Sequence, residues 1–138
     1  MTNQINLYSN QFVPLWMETD LITKAKVEAH ALRNLTGGGI CHLNMERELT
    51  PEQQLAFIKF VAKIGLEHYA FNPFLTYCEN GHAVLGREKR CKVCGSTNVS
   101  YMTRIVGYFT NVSSWVKERR NEFWKRQVIV KPLDKNEK

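Results

Sequence analysis

The sequence predicts an α+β fold, because it contains both stretches with helical spacing of apolar residues and short apolar stretches that suit strands. The predicted helices cover residues 19–35, 50–66 and 115–126. The predicted strands and extended segments cover residues 40–45, 69–77 and 99–109. Residues 78–96 fit neither class, since they are rich in cysteine, glycine and basic side chains. With 138 residues, 43% of them hydrophobic, the chain can form one compact domain with a small appendage.

The first predicted helix begins near Thr19. Thr19 is a suitable N-cap, and Asp20 would lie in the first turn, where the helix dipole favours an acid. The apolar residues of this helix recur on one face: Leu21, Ala25, Ala29 and Leu32. Three consecutive glycines at 37–39 then end the helix or allow a close approach of the backbone.

The second predicted helix has the clearest start signal. Thr50 is the expected N-cap, Pro51 occupies the first helical position, and Gln53 can complete a capping box with Thr50. Its predicted buried face consists of Leu55, Ile58, Val61, Ala62 and Leu66. For the third helix, Ser113 or Ser114 is the expected cap.

Composition and charge exclude some classes of protein. No stretch approaches the roughly 20 apolar residues of a membrane-spanning helix, and the N-terminus lacks the positive start and apolar centre of a signal peptide. A soluble, cytoplasmic protein is therefore expected. Four cysteines in such a chain favour metal binding or catalysis over disulfides. The net charge of +6 is compatible with a nucleic-acid or anionic partner without requiring one.

The spacing of cysteines predicts a metal site. Cys91 and Cys94 form a CxxC sequence followed by Gly95, which is typical of a zinc knuckle. Cys78 precedes Cys91 with twelve intervening residues, and His82 follows Cys78 after three. Together these side chains would give zinc three sulfur ligands and one imidazole, and the ion would stabilise a segment that lacks an apolar core. The spacing of His82 is the least regular of the four.

Two other interpretations of the cysteines remain open on this basis. The CxxC pair could be a redox pair, although no strand–helix pattern of a thioredoxin-like fold surrounds it. Cys41 stands apart, in Gly39-Ile40-Cys41-His42. It could be a functional thiol, but a buried free cysteine is the more common role and the one expected here.

A short motif follows the cysteine module: Arg104-Ile105-Val106-Gly107-Tyr108-Phe109, with Trp115 and a basic helix after it. On its own, a glycine in this setting indicates only a turn or bulge. Three segments upstream complete the pattern: Tyr8-Ser9-Asn10 with Val13-Pro14-Leu15, Gly37 to His42, and Tyr69-Ala70-Phe71-Asn72 with Thr76 and Cys78. In this order the motifs resemble the C-terminal region of the anaerobic (class III) ribonucleoside-triphosphate reductases, over roughly residues 6–126.

The resemblance implies a more specific architecture than the α+β class. It implies the C-terminal part of a glycyl-radical-enzyme α/β barrel with a small zinc-ribbon module and a radical loop. Residues 1–77 would supply C-terminal barrel segments with two helices, and residues 78–98 would form the zinc-ribbon module. Residues 99–138 would form the glycyl-radical loop and the C-terminal helix.

The resemblance also implies a radical mechanism. In this family the glycine matched by Gly107 carries a stable glycyl radical, installed by an activating enzyme that uses S-adenosylmethionine and an iron–sulfur cluster. That radical would generate a cysteine thiyl radical, which takes the 3′ hydrogen of a ribonucleotide and leads to loss of the 2′ hydroxyl. Formate or a thiol system would be the reductant. Val106, Tyr108 and Phe109 would shield Gly107 from solvent, and Asn10 is a candidate substrate contact.

The sequence lacks the family's barrel and the finger loop with its catalytic cysteine, so it is not expected to reduce ribonucleotides alone. We expect part of a split reductase whose partner chain carries the barrel and the catalytic cysteine. One alternative is a spare part that replaces an oxygen-damaged region of a full-length enzyme. Another is a nucleic-acid-binding zinc ribbon, which is less expected. It is based on the basic residues near the knuckle and on the last helix: Arg87, Lys89, Arg90, Lys92, Lys117, Arg119, Arg120, Lys125 and Arg126.

Overall fold

The computed structural model describes residues 11–105 and 107–130. This part of the chain contains three α-helices: α1 (Leu21–Leu32), α2 (Pro51–Ile64) and α3 (Lys117–Lys125). It also contains six strands: β1 (Cys41–Met45), β2 (Tyr69–Pro73), β3 (Leu75–Cys78), β4 (Ala83–Leu85), β5 (Val99–Ile105) and β6 (Tyr108–Asn111). The mixture of helices and strands confirms the predicted α+β class.

The strands form two separate sheets. β1 and β2 pair in parallel, with Cys41 opposite Tyr69 and Met45 opposite Pro73, and α2 makes the crossover that a parallel pair requires. The other sheet is antiparallel, with the strand order β4-β3-β5-β6. Over residues 11–105 and 107–130 these sheets do not close into a barrel, so the barrel implied by the resemblance stays a prediction.

The start of α1 differs from the prediction by one residue. Asp20, not Thr19, is the N-cap, because its Oδ1 accepts a hydrogen bond from the Thr23 N–H at 2.9 Å. An N-cap oxygen has to reach the amide at the second or third helical position, and aspartate does so at least as well as threonine. The prediction of Thr19 is therefore wrong by one position. The helix ends at Leu32, before the three glycines.

The start of α2 agrees with the prediction. Thr50 Oγ1 accepts a hydrogen bond from the Gln53 N–H at 3.2 Å. Gln53 Oε1 in turn accepts one from the Thr50 N–H at 3.1 Å. Pro51 lies at the first helical position, where its missing N–H is not needed. The predicted capping box is thus confirmed.

The buried face of α2 is rotated relative to the prediction. Val61 and Leu66 are buried as predicted, but three other expected core residues are exposed: Leu55, Ile58 and Ala62. Phe57 is buried instead, and its ring makes an edge contact with Tyr69 of β2, with centroids 5.1 Å apart. An aromatic side chain buries the most apolar area, so Phe57 determines which face of the helix meets the sheet.

The third helix is shorter than predicted and lacks the expected cap. A 3-10 turn, Val112–Ser114, precedes it, and Asn111 Oδ1 accepts a hydrogen bond from the Ser113 N–H at 2.9 Å. Helix α3 then begins after Val116, which makes no side-chain capping bond. Neither Ser113 nor Ser114 is therefore the helix cap, because both belong to the short turn that Asn111 stabilises.

The buried apolar residues form two clusters. The first joins α1, α2 and the parallel sheet: Ala25, Ala29, Cys41, Leu43, Phe57, Val61 and Leu66. The second involves α3 and the segments that contact it: Phe74, Val112, Trp115, Phe123 and Val128. Residues 78–98 contribute no member to either cluster. The cysteine module thus lacks an apolar core, as its composition predicts.

Candidate metal centre and glycine turn

The structure brings together the four side chains that the sequence singles out for metal binding. The ligand atoms of Cys78, His82, Cys91 and Cys94 all lie within 4.8 Å of one another. Cys78 ends β3 and His82 stands just before β4, so one antiparallel hairpin presents both. Cys91 and Cys94 lie on the turn that precedes β5. The three cysteines are free thiols, so the group can hold a metal ion.

Distances within this group fit a zinc ion. Cys78 Sγ lies 3.8 Å from Cys94 Sγ and 3.5 Å from His82 Nδ1. In a tetrahedral site with Zn–S bonds of about 2.3 Å and Zn–N bonds of about 2.0 Å, the corresponding separations are about 3.8 Å and about 3.5 Å. Three thiols and one imidazole also form a donor set that structural zinc uses. The least regular ligand of the sequence pattern, His82, therefore lies where a tetrahedral site needs it.

Two glycine turns place the ligands. Gly81 has a φ of 79° and Gly95 a φ of 73°, a left-handed conformation that side chains disfavour. The Gly95 N–H donates to the Cys91 carbonyl oxygen at 2.8 Å, and the Gly81 N–H donates to the Cys78 carbonyl oxygen at 3.0 Å. Each glycine therefore reverses the chain close to a cysteine, and each turn directs two ligands to the same point.

Asn80 contacts one of the sulfurs, which the sequence analysis missed. Its Nδ2 donates to Cys94 Sγ at 3.4 Å, and this hydrogen bond is the main cause that lowers the pKa of the Cys94 thiol to about 6. The thiolate is the form that binds metal, so the contact prepares the exposed cysteine for this role. The Asn80-Gly81 dipeptide is a common turn signal and could have predicted an ordered asparagine here.

Glu79 ties the two halves of the module together. Its carboxylate accepts hydrogen bonds from Ser96 Oγ and Asn98 Nδ2, both at 2.8 Å. The Glu79 N–H also donates to the Asn98 carbonyl oxygen at 3.3 Å. These contacts cross from the hairpin that holds Cys78 to the segment that follows Cys94, so they keep both ligand pairs in one place. No spacing in the sequence indicates this role of Glu79.

Gly107 lies in the tight turn between β5 and β6. Ile105 and Tyr108 pair across this hairpin, and Arg104 Nη1 donates to the Gly107 carbonyl oxygen at 2.8 Å. The φ of Gly107 lies outside the left-handed region, and a Cβ built on it would meet no atom within 4 Å. Among the described residues, neither the φ of Gly107 nor the available space requires glycine at this position.

The aromatic shell expected around Gly107 is not formed as predicted. Tyr108 is 79% exposed, so it does not shield the glycine within this chain. Side chains alternate along a strand, and in β6 this alternation turns Tyr108 towards solvent. Phe109 is half-buried, because its ring packs under the guanidinium of Arg104 with the Cζ atom 4.8 Å from the ring centroid. Val106 lies outside the described residues.

Buried polar side chains fix the backbone of Arg104. The Arg104 N–H donates to Asn72 Oδ1 at 3.1 Å, and the same oxygen accepts a hydrogen bond from Thr103 Oγ1 at 3.1 Å. From the other side, Arg126 Nη1 donates to the Arg104 carbonyl oxygen at 3.0 Å. Asn72, Thr103 and Arg126 are each at most 2% exposed. The strand that leads into the glycine turn is therefore held from β2 and from the end of α3.

Cys41 belongs to neither site. It is fully buried on β1 as a free thiol, as predicted. Burial is the main cause that raises its pKa to about 12. Such a thiol is neither accessible nor ionised near neutral pH, which argues against the reactive role considered for it.

The candidate substrate contact Asn10 lies outside the described residues, as does the Tyr8-Ser9-Asn10 motif.

Two buried charged side chains of α1 anchor the segment around Val13. The Val13 N–H donates to Glu28 Oε1 and Lys24 Nζ donates to the Val13 carbonyl oxygen, both at 2.9 Å. Lys24 and Glu28 are at most 1% exposed. The sequence does not predict this clamp, because a Lys–Glu pair four residues apart on a helix normally faces solvent.

The fold and the Cys₃His group define a small metal-binding α+β unit with a glycine hairpin. Residues 2–128 match the family of the anaerobic ribonucleoside-triphosphate reductases. A solved anaerobic ribonucleotide reductase superposes with a TM-score of 0.73, at 36% identity over 91% of this chain. Two structures of the Thermotoga maritima enzyme, one with glycerol in the active site and one with dATP and CTP, superpose with TM-scores of 0.65 and 0.63. They are 37% and 38% identical to this chain, each over 83% of it. The chain therefore belongs to the anaerobic ribonucleoside-triphosphate reductase family, a family of oxidoreductases.

The chain spans about a fifth of the length of these reductases, covering 20%, 19% and 18% of the three solved chains. A comparison with curated proteins gave no match. Among residues 11–105 and 107–130, the helices are too short or too polar to cross a membrane.

Proposed function

We propose that this chain is the glycyl-radical-bearing part of an anaerobic ribonucleotide reductase, which converts ribonucleotides to deoxyribonucleotides. Membership of the family supports the reaction class. The observation that carries the assignment is the position of Gly107 at the turn of the Arg104–Phe109 hairpin, in the motif that resembles the family's radical turn. In this proposal Gly107 stores the radical, and a separate chain supplies the barrel, the catalytic cysteine and the ribonucleotide site.

A radical at Gly107 would explain a glycine that the local fold does not require. The amide nitrogen and the carbonyl group on either side of the Cα atom stabilise an unpaired electron there, and the missing side chain lets the centre become planar. A Cβ at this position would have room, and the φ of Gly107 lies outside the left-handed region. Packing among the described residues therefore does not account for the residue type. Gly37 shares both properties and lies in an exposed turn between α1 and β1, which makes it a matched control.

None of the four cysteines of this sequence suits the role of the catalytic cysteine. Three of the four belong to the metal group, and Cys41 is fully buried in the first apolar cluster. A thiyl radical that takes a hydrogen atom from a ribonucleotide must contact the sugar, which a buried side chain cannot do. We therefore place the thiyl radical outside the four cysteines of this sequence, and in this proposal on the barrel chain.

The proposed reaction begins with the loss of one hydrogen atom from Gly107. One electron from the iron–sulfur cluster of the activating enzyme cleaves S-adenosylmethionine, and the resulting 5′-deoxyadenosyl radical takes the Cα hydrogen to give 5′-deoxyadenosine. The Gly107 radical then takes the thiol hydrogen of the partner chain's cysteine, and the thiyl radical takes the 3′ hydrogen of the ribonucleotide. Loss of the 2′ hydroxyl as water requires two electrons, which formate or a thiol system supplies.

Exposed apolar side chains support docking against a large partner. Tyr108, next to Gly107, is 79% exposed. Further apolar side chains that are 41–52% exposed lie on the outer faces of α1 and α2: Ile22, Val27, Leu55 and Ile58. Exposed apolar side chains of this size are candidates for contact with a partner, which would bury them. A barrel chain that covers Tyr108 would also exclude solvent and oxidants from Gly107.

We further propose that the Cys₃His group holds one structural zinc ion. Residues 78–98 belong to neither apolar cluster, so a metal ion would supply the stability that a core supplies elsewhere. Strand β3, which ends at the ligand Cys78, pairs along its length with β5. The ion would therefore brace the sheet from which the Gly107 hairpin extends.

A nucleic-acid-binding zinc ribbon is less well supported. Arg87 pairs with Glu46 at 2.8 Å, and Arg126 pairs with Glu122 at 2.8 Å. Arg126 is also buried, so these cations already have partners within the chain. Binding to a phosphate backbone depends on cations that face solvent and can replace counterions.

Electron paramagnetic resonance tests the proposal. The chain is incubated without oxygen with the activating enzyme, S-adenosylmethionine and a family barrel chain that ends before the glycine turn. We expect a glycyl doublet in the wild type and in Gly37→Ala, and none in Gly107→Ala. A silent wild-type sample, under conditions that activate a full-length family member, contradicts the proposal. Reductase activity can be measured in parallel. If the chain restores activity only to an oxygen-inactivated full-length reductase, it acts as a spare part that replaces the damaged region.

A further inference from the structure

We propose that Arg104 is a positioning residue that binds the Gly107 carbonyl group and stabilises the radical on the neighbouring Cα atom. This inference rests on the glycyl-radical function proposed above. Its starting point is the hydrogen bond from Arg104 Nη1 to the Gly107 carbonyl oxygen, which is 2.8 Å long.

The surroundings of Arg104 direct its charge to this carbonyl group. Among residues 11–105 and 107–130, no carboxylate forms an ion pair with Arg104, whereas Arg87 and Arg126 each pair with a glutamate. The Nε atom of Arg104 is buried without a hydrogen-bond partner in the described part of the chain. The guanidinium lies over the Phe109 ring, which restricts its movement. An arginine with no counterion among the described residues is thus held with one N–H group on the Gly107 carbonyl oxygen.

The chemistry of a glycyl radical gives this contact a specific effect. The amide nitrogen pushes electron density towards the Cα atom, and the carbonyl group withdraws it, so part of the unpaired spin moves onto the carbonyl oxygen. A charged donor at that oxygen favours this distribution more strongly than a neutral one. The hydrogen bond therefore stabilises the radical relative to the parent glycine, and it lowers the spin density that remains on the Cα atom.

The side chain of Arg104 can be replaced without loss of the hydrogen bonds that hold its backbone. Asn72 binds the Arg104 N–H, and Arg126 binds the Arg104 carbonyl oxygen, so both anchors remain when the side chain is changed. We choose Arg104→Met to remove the donor and Arg104→Lys to restore a positive donor. Arg120→Met is the matched control, since Arg120 Nη1 binds the carbonyl oxygens of Ser113 and Trp115 instead.

The first measurement needs no radical. Glycine labelled with ¹³C at the carbonyl carbon is incorporated into the full chain, and Gly107→Ala identifies the Gly107 signal among the eight glycines. Loss of a charged donor reduces the polarisation of the carbonyl group. We therefore expect the Gly107 carbonyl resonance to move upfield in Arg104→Met and to stay in place in Arg120→Met. A signal that is unchanged in Arg104→Met overturns the proposed contact.

The second measurement uses the activated protein. In Arg104→Met we expect a wider doublet splitting, because more spin stays on the Cα atom, and a half-life of the doublet in oxygen-free buffer that is about tenfold shorter. Arg104→Lys should recover part of both effects, and Arg120→Met should match the wild type. A splitting and half-life in Arg104→Met equal to those of the wild type overturn the inference but leave the radical function intact.

Two further outcomes are decisive. A silent wild-type sample overturns the radical function and this inference together. If Arg104→Met accumulates no radical, Arg104→Lys decides: a recovered doublet supports the donor role. The donor role is overturned if neither variant shows the doublet while the carbonyl resonance of Arg104→Lys stays at the wild-type position. That result points instead to recognition of Arg104 by the activating enzyme.

Discussion

Arg126 and Glu122 form a buried ion pair with two parallel contacts, Nε to Oε1 at 2.8 Å and Nη2 to Oε2 at 3.0 Å. Each residue is 2% exposed. The remaining nitrogen, Arg126 Nη1, donates to the Arg104 carbonyl oxygen at 3.0 Å. The pair therefore joins the end of α3 to the strand that leads to Gly107, and one substitution can test this link.

Glu122→Ala should lower the free energy of unfolding by about 3–5 kcal/mol, because it leaves the Arg126 charge buried without a counterion. Urea unfolding with excess zinc, followed by circular dichroism, measures the change. Glu118→Ala on the exposed side of α3 is the control and should cost no more than about 0.5 kcal/mol. A similar small loss for Glu122→Ala would show that the ion pair does not hold this part of the fold.

Metal analysis should find one zinc ion per chain, and Cys91→Ser should remove most of it. His82→Ala should also lower zinc content, since His82 Nδ1 lies 3.5 Å from Cys78 Sγ. Cys41→Ala is the matched control, because this cysteine lies outside the group and should keep full zinc. Full zinc content in His82→Ala would assign the fourth ligand to another side chain.

The stability of the fold should fall at high pH because of Cys41. Burial raises the pKa of this thiol from 9.0 to about 12, so above pH 9 the unfolded chain loses the proton before the folded chain does. The free energy of unfolding then decreases until the pH reaches the folded pKa. Between about pH 8 and about pH 11, we expect the wild type to lose about 3 kcal/mol more than Cys41→Ala. Urea unfolding at both pH values measures this difference, and parallel curves for the two proteins would contradict it.

Air should cleave the activated protein at Gly107. A Cα radical reacts with oxygen, and backbone scission at that residue separates the segment from Gly107 to Lys138 from the rest of the chain. Mass spectrometry after exposure to air measures the fragments. Gly107→Ala should stay intact, and Gly37→Ala should be cleaved like the wild type. Scission of Gly107→Ala at the same place would mean that proteolysis, not a radical, causes it.

We expect no tight binding to duplex DNA at physiological salt. Arg87 and Arg126 are engaged with glutamates, so fewer cations are available for phosphates than the sequence implies. Fluorescence anisotropy over a series of salt concentrations measures affinity. Submicromolar binding that weakens steeply with salt would favour the nucleic-acid alternative.

Features with short-range causes were predictable from the sequence. The capping box of Thr50 and Gln53 depends on two residues that are three positions apart, and the structure has it as predicted. Spacing in the sequence also singled out the four side chains that the structure brings together as a candidate metal group. The orientation of α2 was not predictable in this way, because Phe57 and Leu55 are both apolar. Only the position of β2 decides which of the two is buried.

Contacts over long sequence distances were beyond prediction from one sequence. Asn72 and Arg104 both occur in motifs that resemble the family, yet the hydrogen bond between them joins residues 32 positions apart. The same applies to Lys24 and Glu28, whose burial depends on the backbone of Val13. Polar side chains of these types are usually exposed, so their burial becomes evident only when the fold is known.

Strand β5 runs from the Cys₃His group to the Gly107 turn, and its length sets the distance between them. Val99 pairs with the candidate metal ligand Cys78, while Ile105 at the other end pairs with Tyr108 beside the glycine. At a rise of about 3.3 Å per residue, this strand would keep an ion in the Cys₃His group about 20 Å from the proposed radical position. A zinc ion in this group would have no redox chemistry of its own, and at such a distance it would not polarise Gly107. The contribution of such an ion would be mechanical, because it would fix the base of the β5–β6 hairpin. In the proposed function, oxidation of the thiols would then displace the radical position without reacting at Gly107.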